Sequence, residues 1–443
     1  MRGGGDDRMI IVDTALAKRV AAGNPIKVAM VGAGYMARGI ALQILSAMPG
    51  IQLCAISNRT LANAERAYRD ADAEVSATVE TVAQLDQAIR DQRYVITDDP
   101  MLLCQAGEIE AIIETTGDVE LGARVAFEAI RNGKHIILMN AEVDASIGPI
   151  LKVHADRAGV VYTYTDGDEP GVAMNLFRFV QSMGYKPVML GQIKGFLNRY
   201  RNPDTQKEFA EKHQQKAAMV ASFADGSKLA LEAAIMGNGT GFVPALRGMH
   251  GHACTHVKDL LTKFKPEDFA AGGFVDFALG GEPHTGGFVM VYDDHPIKKK
   301  YMSYFKFGDG PLYMFYTPYH LAHMQLPHSV ARAVLFNDPT LTPIGAPVCD
   351  TVSIAKRDLK AGERLDGMGG FTCYGLVDSY VNCRRNDDLP IALSLDCVLK
   401  RDVPKDQPIS YRDVELPVGR LCDQLRAEQT AHFAGQTALR AAA

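Results

Sequence analysis

Ile26-Lys27-Val28-Ala29-Met30-Val31-Gly32-Ala33-Gly34-Tyr35-Met36-Ala37 is the stretch whose reading decides the fold. Six mainly apolar residues read as a buried strand, and a G-x-G-x-x-A turn leads from them into a helical pattern. Gly32 permits the sharp reversal from strand to helix. Gly34 keeps side chains away from an approaching pyrophosphate, and Ala37 lets the helix lie close to the sheet. The helix start offers free N–H groups and a partial positive charge to an anion. Gly32, Gly34, Tyr35 and Met36 are therefore the expected core of a dinucleotide site.

The next expected strand, 51–56, ends in Ser57-Asn58-Arg59. An NAD site usually places a carboxylate there for the ribose hydroxyls, and a carboxylate would repel a 2′-phosphate. Asn58 and the Arg59 guanidinium instead offer donors and positive charge, which favours NADP(H). The competing account is an arginine solvated at a helix start.

The 443 residues are enough for two or three domains. Hydrophobic content of 47% and charged content of 22% are those of an ordinary globular protein. A net charge of −5 and a pI near 6.2 give no basic surface for nucleic acid. No apolar run approaches the roughly 20 residues that span a bilayer, and 1–7 is glycine-rich and acidic without a signal-like core. A cytoplasmic location is the simplest expectation. The eight cysteines are scattered, without C-x-x-C or zinc spacing, and read as reduced packing residues.

After a lead-in helix over 14–22, strands are expected at 26–31, 51–56, 94–97, 110–113, 135–139 and 160–164, alternating with helices as in a parallel α/β sheet. Thr115-Thr116-Gly117-Asp118 and Asn140-Ala141-Glu142 follow two of these strands, at the carboxyl edge where ligands bind in such sheets. Thr115, Thr116, Gly117, Asn140 and Glu142 are accordingly assigned to the nicotinamide end. Turn and cap chemistry is the alternative, with Asp118 as an N-cap.

From about 167 the period changes. A helix is expected over 172–183, a strand over 188–194, a polar connection over 198–216 and a helix over 325–335. The tail holds a weak repeat, Lys356-Arg357-Asp358-Leu359 against Lys400-Arg401-Asp402-Val403, in a strand-rich context. The triplets read better as solvated turns than as binding groups. The expected division is a doubly wound Rossmann-type domain at 1–165, an α+β substrate domain at 166–345 and a small β-rich domain with a tail at 346–443.

Hydride transfer needs a proton donor or acceptor at the substrate oxygen. Lys194 at a strand end is the leading candidate, with burial expected to lower its pKa. Asp166-Gly167-Asp168-Glu169-Pro170 crowds three carboxylates after a strand, which suits a divalent cation or a raised pKa. The alternative is that Asp168 caps a helix. His250 and His252 sit in a glycine-rich run without zinc spacing, and Pro318-Tyr319-His320 is the last candidate.

On Ala129-Ile130-Arg131-Asn132-Gly133-Lys134-His135, Gly167-Asp168-Glu169-Pro170, Gly248-Met249-His250-Gly251 and Pro318-Tyr319-His320, the chain resembles homoserine-dehydrogenase-like NAD(P)-binding oxidoreductases with a C-terminal SAF module. Among these it is most similar to the 1-deoxy-D-xylulose 5-phosphate reductoisomerase-like enzymes. The resemblance implies a homodimer, a catalytic lysine in the second domain carried over to Lys194, and acidic roles for Asp166, Asp168 or Glu169. After Asn140 the chain has Ala141-Glu142 where homoserine enzymes commonly have Lys. For a phosphorylated substrate, Asn198, Arg199, Arg201, His250, His252 and His320 are the available polar and cationic groups.

The expected function is NADP(H)-dependent oxidation or reduction of a small sugar-derived ketone or alcohol. A skeleton rearrangement would need Mg2+ or Mn2+, with Asp166, Asp168 and Glu169 as ligands. Two alternatives stay open: a simple dehydrogenase of a hydroxy acid or amino alcohol, and a non-catalytic NADP(H)-binding regulator.

Overall fold

The structure is a computed structural model that describes residues 11–441, with side chains through 435. The acidic, glycine-rich 1–7 stretch lies outside the described residues. Seven strands form one parallel sheet: β1 (Ile26–Val31), β2 (Ile51–Ser57), β3 (Ala77–Thr78), β4 (Val95–Thr97), β5 (Ala111–Glu114), β6 (His135–Leu138) and β7 (Tyr162–Tyr164). Their order is β3-β4-β2-β1-β5-β6-β7, so the chain winds outward from β1 in both directions. This is a Rossmann-type doubly wound α/β sheet, with its crevice between the carboxyl ends of β1 and β5. The short β3 escapes sequence reading because two residues carry no periodicity.

The helix Glu169–Ser182 starts three residues before its expected position, with Pro170 in the first turn. It leads into a mixed sheet made of β8 (Lys186–Lys194), β9 (Val243–Pro244), β10 (His252–Ala253), β11 (Phe274–Leu279), β12 (Gly287–Tyr292) and β13 (Leu312–Thr317). Its main path is β10-β11-β8-β12-β13, with β9 beside β11. The expected loop at 198–216 contains a short helix, Lys207–Lys212.

Two later helices return to the first sheet. Leu326, Val330 and Ala331 of helix Ala322–Phe336 are buried in one cluster with Ile26, Met30 and Ile40. A Cβ on Gly39 would lie 2.7 Å from the His323 ring, so the bare glycine permits this close approach. Helix Leu421–Ala441 lies on helices Val119–Arg131 and Ala141–Ala158, and its first N–H groups, from Leu421 and Cys422, donate to the Glu120 carboxylate.

The tail is β-rich as expected, with antiparallel pairs β14 (Cys349–Ala355) with β15 (Cys373–Ser379) and β16 (Val398–Leu399) with β17 (Val414–Glu415). The two repeat halves meet, since Leu359 and Val403 exchange backbone hydrogen bonds. Lys356 corrects the solvated-turn reading: its side chain is buried and ion-paired with Asp225. Seven of the eight cysteines are buried and all are unpaired. No helix among the described residues is long and apolar enough to cross a membrane.

Candidate active site

Gly32 has φ +108° at the end of β1, and a Cβ there would strike Thr115 Oγ1 at 2.5 Å. The position therefore requires glycine on conformational and steric grounds. Gly34 caps helix Tyr35–Ala47 without a side-chain hydrogen bond, no acid stands in the first turn, and a Cβ on Gly34 would meet nothing within 4 Å. Open space in front of uncapped N–H groups fits a pyrophosphate. Arg59 is exposed and makes no hydrogen bond or ion pair among the described residues, while Asn58 Nδ2 donates to Thr60 O at 2.8 Å.

The loops after β5 and β6 use their side chains to brace the crevice. Thr115 Oγ1 donates to Val31 O at 2.9 Å, tying β5 to β1. Thr116 donates through N and Oγ1 to buried Glu114. Asn140 caps helix Ala141–Ala158 by accepting from Val143 N and donates to Asp118 O, and Asp118 caps helix Val119–Arg131. The Met219 methyl stands 3.3 Å from the position a Cβ on Gly117 would take.

Beyond β7 the chain turns at Gly167 and delivers Asp168 and Glu169 towards the second sheet. Lys194 Nζ at the end of β8 donates to Glu169 Oε1 at 2.7 Å and lies 3.6 Å from Glu232 Oε2. Glu169 and Glu232 are buried, and the Lys194 side chain is one-fifth exposed. Glu169 Oε2 is 3.7 Å from His320 Nε2, and His320 Nδ1 shares a 2.8 Å hydrogen bond with Thr285 Oγ1. Lys228 Nζ, buried, lies 3.7 Å from Glu142 Oε2 and makes no hydrogen bond among the described residues.

Burial alone would depress the Lys194 pKa, but its acidic neighbours, Glu169 foremost, outweigh it and hold the ammonium above its ordinary range. This reverses the expected direction. Burial would likewise raise Glu169, yet Lys194 and His320 hold it below the usual carboxylate range. Burial, with Glu169 adding to it, pushes Glu232 up to about 8. At neutral pH the cluster thus holds a charged Lys194–Glu169 pair beside a protonated Glu232.

Several sequence candidates lie elsewhere. The Asp166 carboxylate accepts from Gly167 N and Asn175 Nδ2 and does not join Asp168 and Glu169. His320 does: one ligand atom each from Asp168, Glu169 and His320 lie within 4.8 Å of one another. Asp168 makes no side-chain cap bond, because its carboxylate takes the Tyr164 hydroxyl instead. Asn198 accepts from Tyr200 N, and the Arg199 guanidinium donates to Asp225 O and lies over Tyr374.

His250 Nδ1 is 2.7 Å from Asp276, its ring stacks on His252, and Asp276 pairs in register with Gly191. Since strand residues alternate, that is the sheet face opposite Gln192 and Lys194. Sequence reasoning missed Lys228 and Glu232. Their signal is an i,i+4 pair of opposite charges on the otherwise apolar helix Ser227–Thr240.

A family profile described as "Oxidoreductase DRL, catalytic domain" matches residues 167–326, which carry Asp168, Glu169, Lys194, Lys228, Glu232 and His320. No curated protein matches. Among solved structures the chain is similar to an NAD binding oxidoreductase from Klebsiella pneumoniae, at 18% identity over 39% of this chain and 43% of that one, TM-score 0.27. It is also similar to 1-deoxy-D-xylulose 5-phosphate reductoisomerase from Zymomonas mobilis in complex with NADPH, at 16% identity over 47% and 57%, TM-score 0.32. A probable dehydrogenase from Thermotoga maritima aligns at 10% identity over 72% and 91%, TM-score 0.42. The chain thus spans about half the length of the first two. All three scores lie below 0.5 and carry no argument, and the fold rests on the strand order. The residues that match the oxidoreductase catalytic-domain profile thus follow directly on a Rossmann-type sheet.

Proposed function

We propose that the chain is an NADP(H)-dependent oxidoreductase acting on a small sugar-derived, phosphorylated ketone or alcohol, in the manner of 1-deoxy-D-xylulose 5-phosphate reductoisomerases. The observation that carries this reading is the protonated Lys194 lodged between Glu169 and Glu232, with Glu169 following directly on β7 of the first sheet. Arg59 and Asn58, with no carboxylate at the end of β2, support the phosphorylated cofactor. The resemblance to homoserine-dehydrogenase-like enzymes, the SAF-like tail and a homodimer belong to the same proposal.

The nicotinamide, when bound, supplies or accepts the hydride. Lys194 gives its proton to the oxygen that gains charge, and Glu232, protonated up to about pH 8, returns a proton to Lys194. Lys228, with no hydrogen-bond acceptor of its own, offers an ammonium to a second substrate oxygen. Asp168, Glu169 and His320, two carboxylates and an imidazole, would suit Mn2+ better than the oxygen-preferring Mg2+, and such an ion would polarise a carbonyl.

The Lys194 ammonium on Glu169 favours a second reading, a metal-free dehydrogenase of a hydroxy acid or amino alcohol. NADPH consumption with 1-deoxy-D-xylulose 5-phosphate, and NADP+ reduction with hydroxy acids and amino alcohols, each with and without a chelator, decide between them. The first reading expects turnover that the chelator abolishes. Chelator-insensitive turnover of a hydroxy acid or amino alcohol supports the second, and no turnover with any of these overturns both.

A further inference from the structure

Lys356 of the C-terminal module has a side chain only 4% exposed. Its ammonium donates to Arg201 O at 2.7 Å and to Gly370 O at 2.6 Å, and it lies 2.8 Å from Asp225 Oδ2. These acceptors belong to three separate pieces: the segment that leaves β8 after Lys194, a loop of the module itself, and the turn between helices Ala217–Asp225 and Ser227–Thr240. One ammonium thus donates to two of these segments and ion-pairs with the third.

That turn controls where the second helix starts. Gly226, at φ +83°, is the hinge between the two helices. Asp225 Oδ1 accepts from Ser227 N at 2.7 Å, and Ser227 Oγ accepts from Gly375 N of β15 at 2.8 Å. Asn198 N donates to Ala224 O at 2.8 Å, and Arg199 donates to Asp225 O at 3.3 Å. Lys228 is the next residue, and Glu232 follows one turn later. A buried ion pair is a poor source of net stability compared with packed apolar side chains, but it fixes direction and register.

We propose that Lys356 is a positioning residue for the active site: by fastening the 198–201 segment and the Asp225 turn to the C-terminal module, it sets the helix start from which Lys228 and Glu232 project. The role assigned to those two residues rests on the proposed function, whereas the clamp itself is testable without a substrate.

The test is amide hydrogen exchange on the full chain carrying Lys356→Met, and on Lys356→Met with Asp225→Asn. The double variant leaves no unpaired buried charge, so it folds even where the single variant does not. In both variants exchange at 198–201 and 226–231 quickens by about tenfold or more, while 26–31 exchanges as in the wild type. In a turnover assay KM for substrate rises about tenfold with NADPH affinity unchanged. Unchanged exchange at 226–231 overturns the proposal, as does a uniform acceleration across the whole chain of the double variant. Local acceleration without any turnover upholds the clamp and counts only against the proposed reaction.

Discussion

The ends of β1 and β8 prepare for ligands in opposite ways. At β1 the groups on offer are backbone N–H donors, the acids are absent from the first helical turn, and the Arg59 guanidinium is exposed and makes no hydrogen bond or ion pair among the described residues. At β8 the groups are side chains, most of them charged, buried and already paired: Lys194 with Glu169, and Lys228 near Glu142. A backbone cradle costs the fold little and gives affinity for an anion. A buried charge cluster is expensive to assemble but holds a proton at a defined energy, which is what transfer chemistry requires.

Lys194→Met tests the separation most severely. Turnover falls by about a thousandfold, as expected for removal of a general acid, while calorimetry finds NADPH affinity unchanged. Equal loss of both would mean that the two ends are not independent. Gly34→Asp attacks the other end: its Cβ has free space, so the fold survives, but a carboxylate before the uncapped N–H groups lowers NADPH affinity by about a hundredfold. Arg59→Ala lowers NADPH affinity by about tenfold and leaves NADH binding as it was, which sharpens the origin of cofactor choice.

Glu232→Gln tests the proton store. The folded-state pKa of Glu232 is raised from 4.5 to about 8, so the folded chain holds this proton more tightly than the unfolded chain. The associated stability is full below pH 4.5 and is lost as pH rises through 8. Glu232→Gln makes the thermal midpoint less dependent on pH across this window, although Glu114 and Asp144, each raised by burial to about 7, keep part of the slope. In the reducing direction the wild-type rate declines above about pH 8, and the Gln variant lacks that limb. The smallest effect is expected from His250→Ala, on the far face of the second sheet, which leaves turnover within about twofold.

The β1 end was legible because its determinants are contiguous: strand, two glycines and helix lie within twelve residues. Lys194 and the 168–169 carboxylates were legible as strand-end and post-strand residues. Glu232 was not, since it arrives from a helix far along the chain; His320 was legible as a candidate, but only the tertiary fold shows that it joins Glu169. The same distance effect misdirected Lys194, whose pKa is set by acids remote in sequence, and Asp166, whose neighbours Asn175 and Ser329 draw it out of the cluster. Strand alternation alone could not show that His250 faces away from Lys194. That fact depends on which strand lies beside β11.

The most direct test of the central claim is a crystal structure of the NADPH complex. The account places the pyrophosphate at Gly34 and the helix start behind it, the 2′-phosphate at Arg59, and the nicotinamide between the 116–117 loop and Lys194. A nicotinamide directed away from Lys194, or NADPH bound anywhere other than the end of β1, contradicts it.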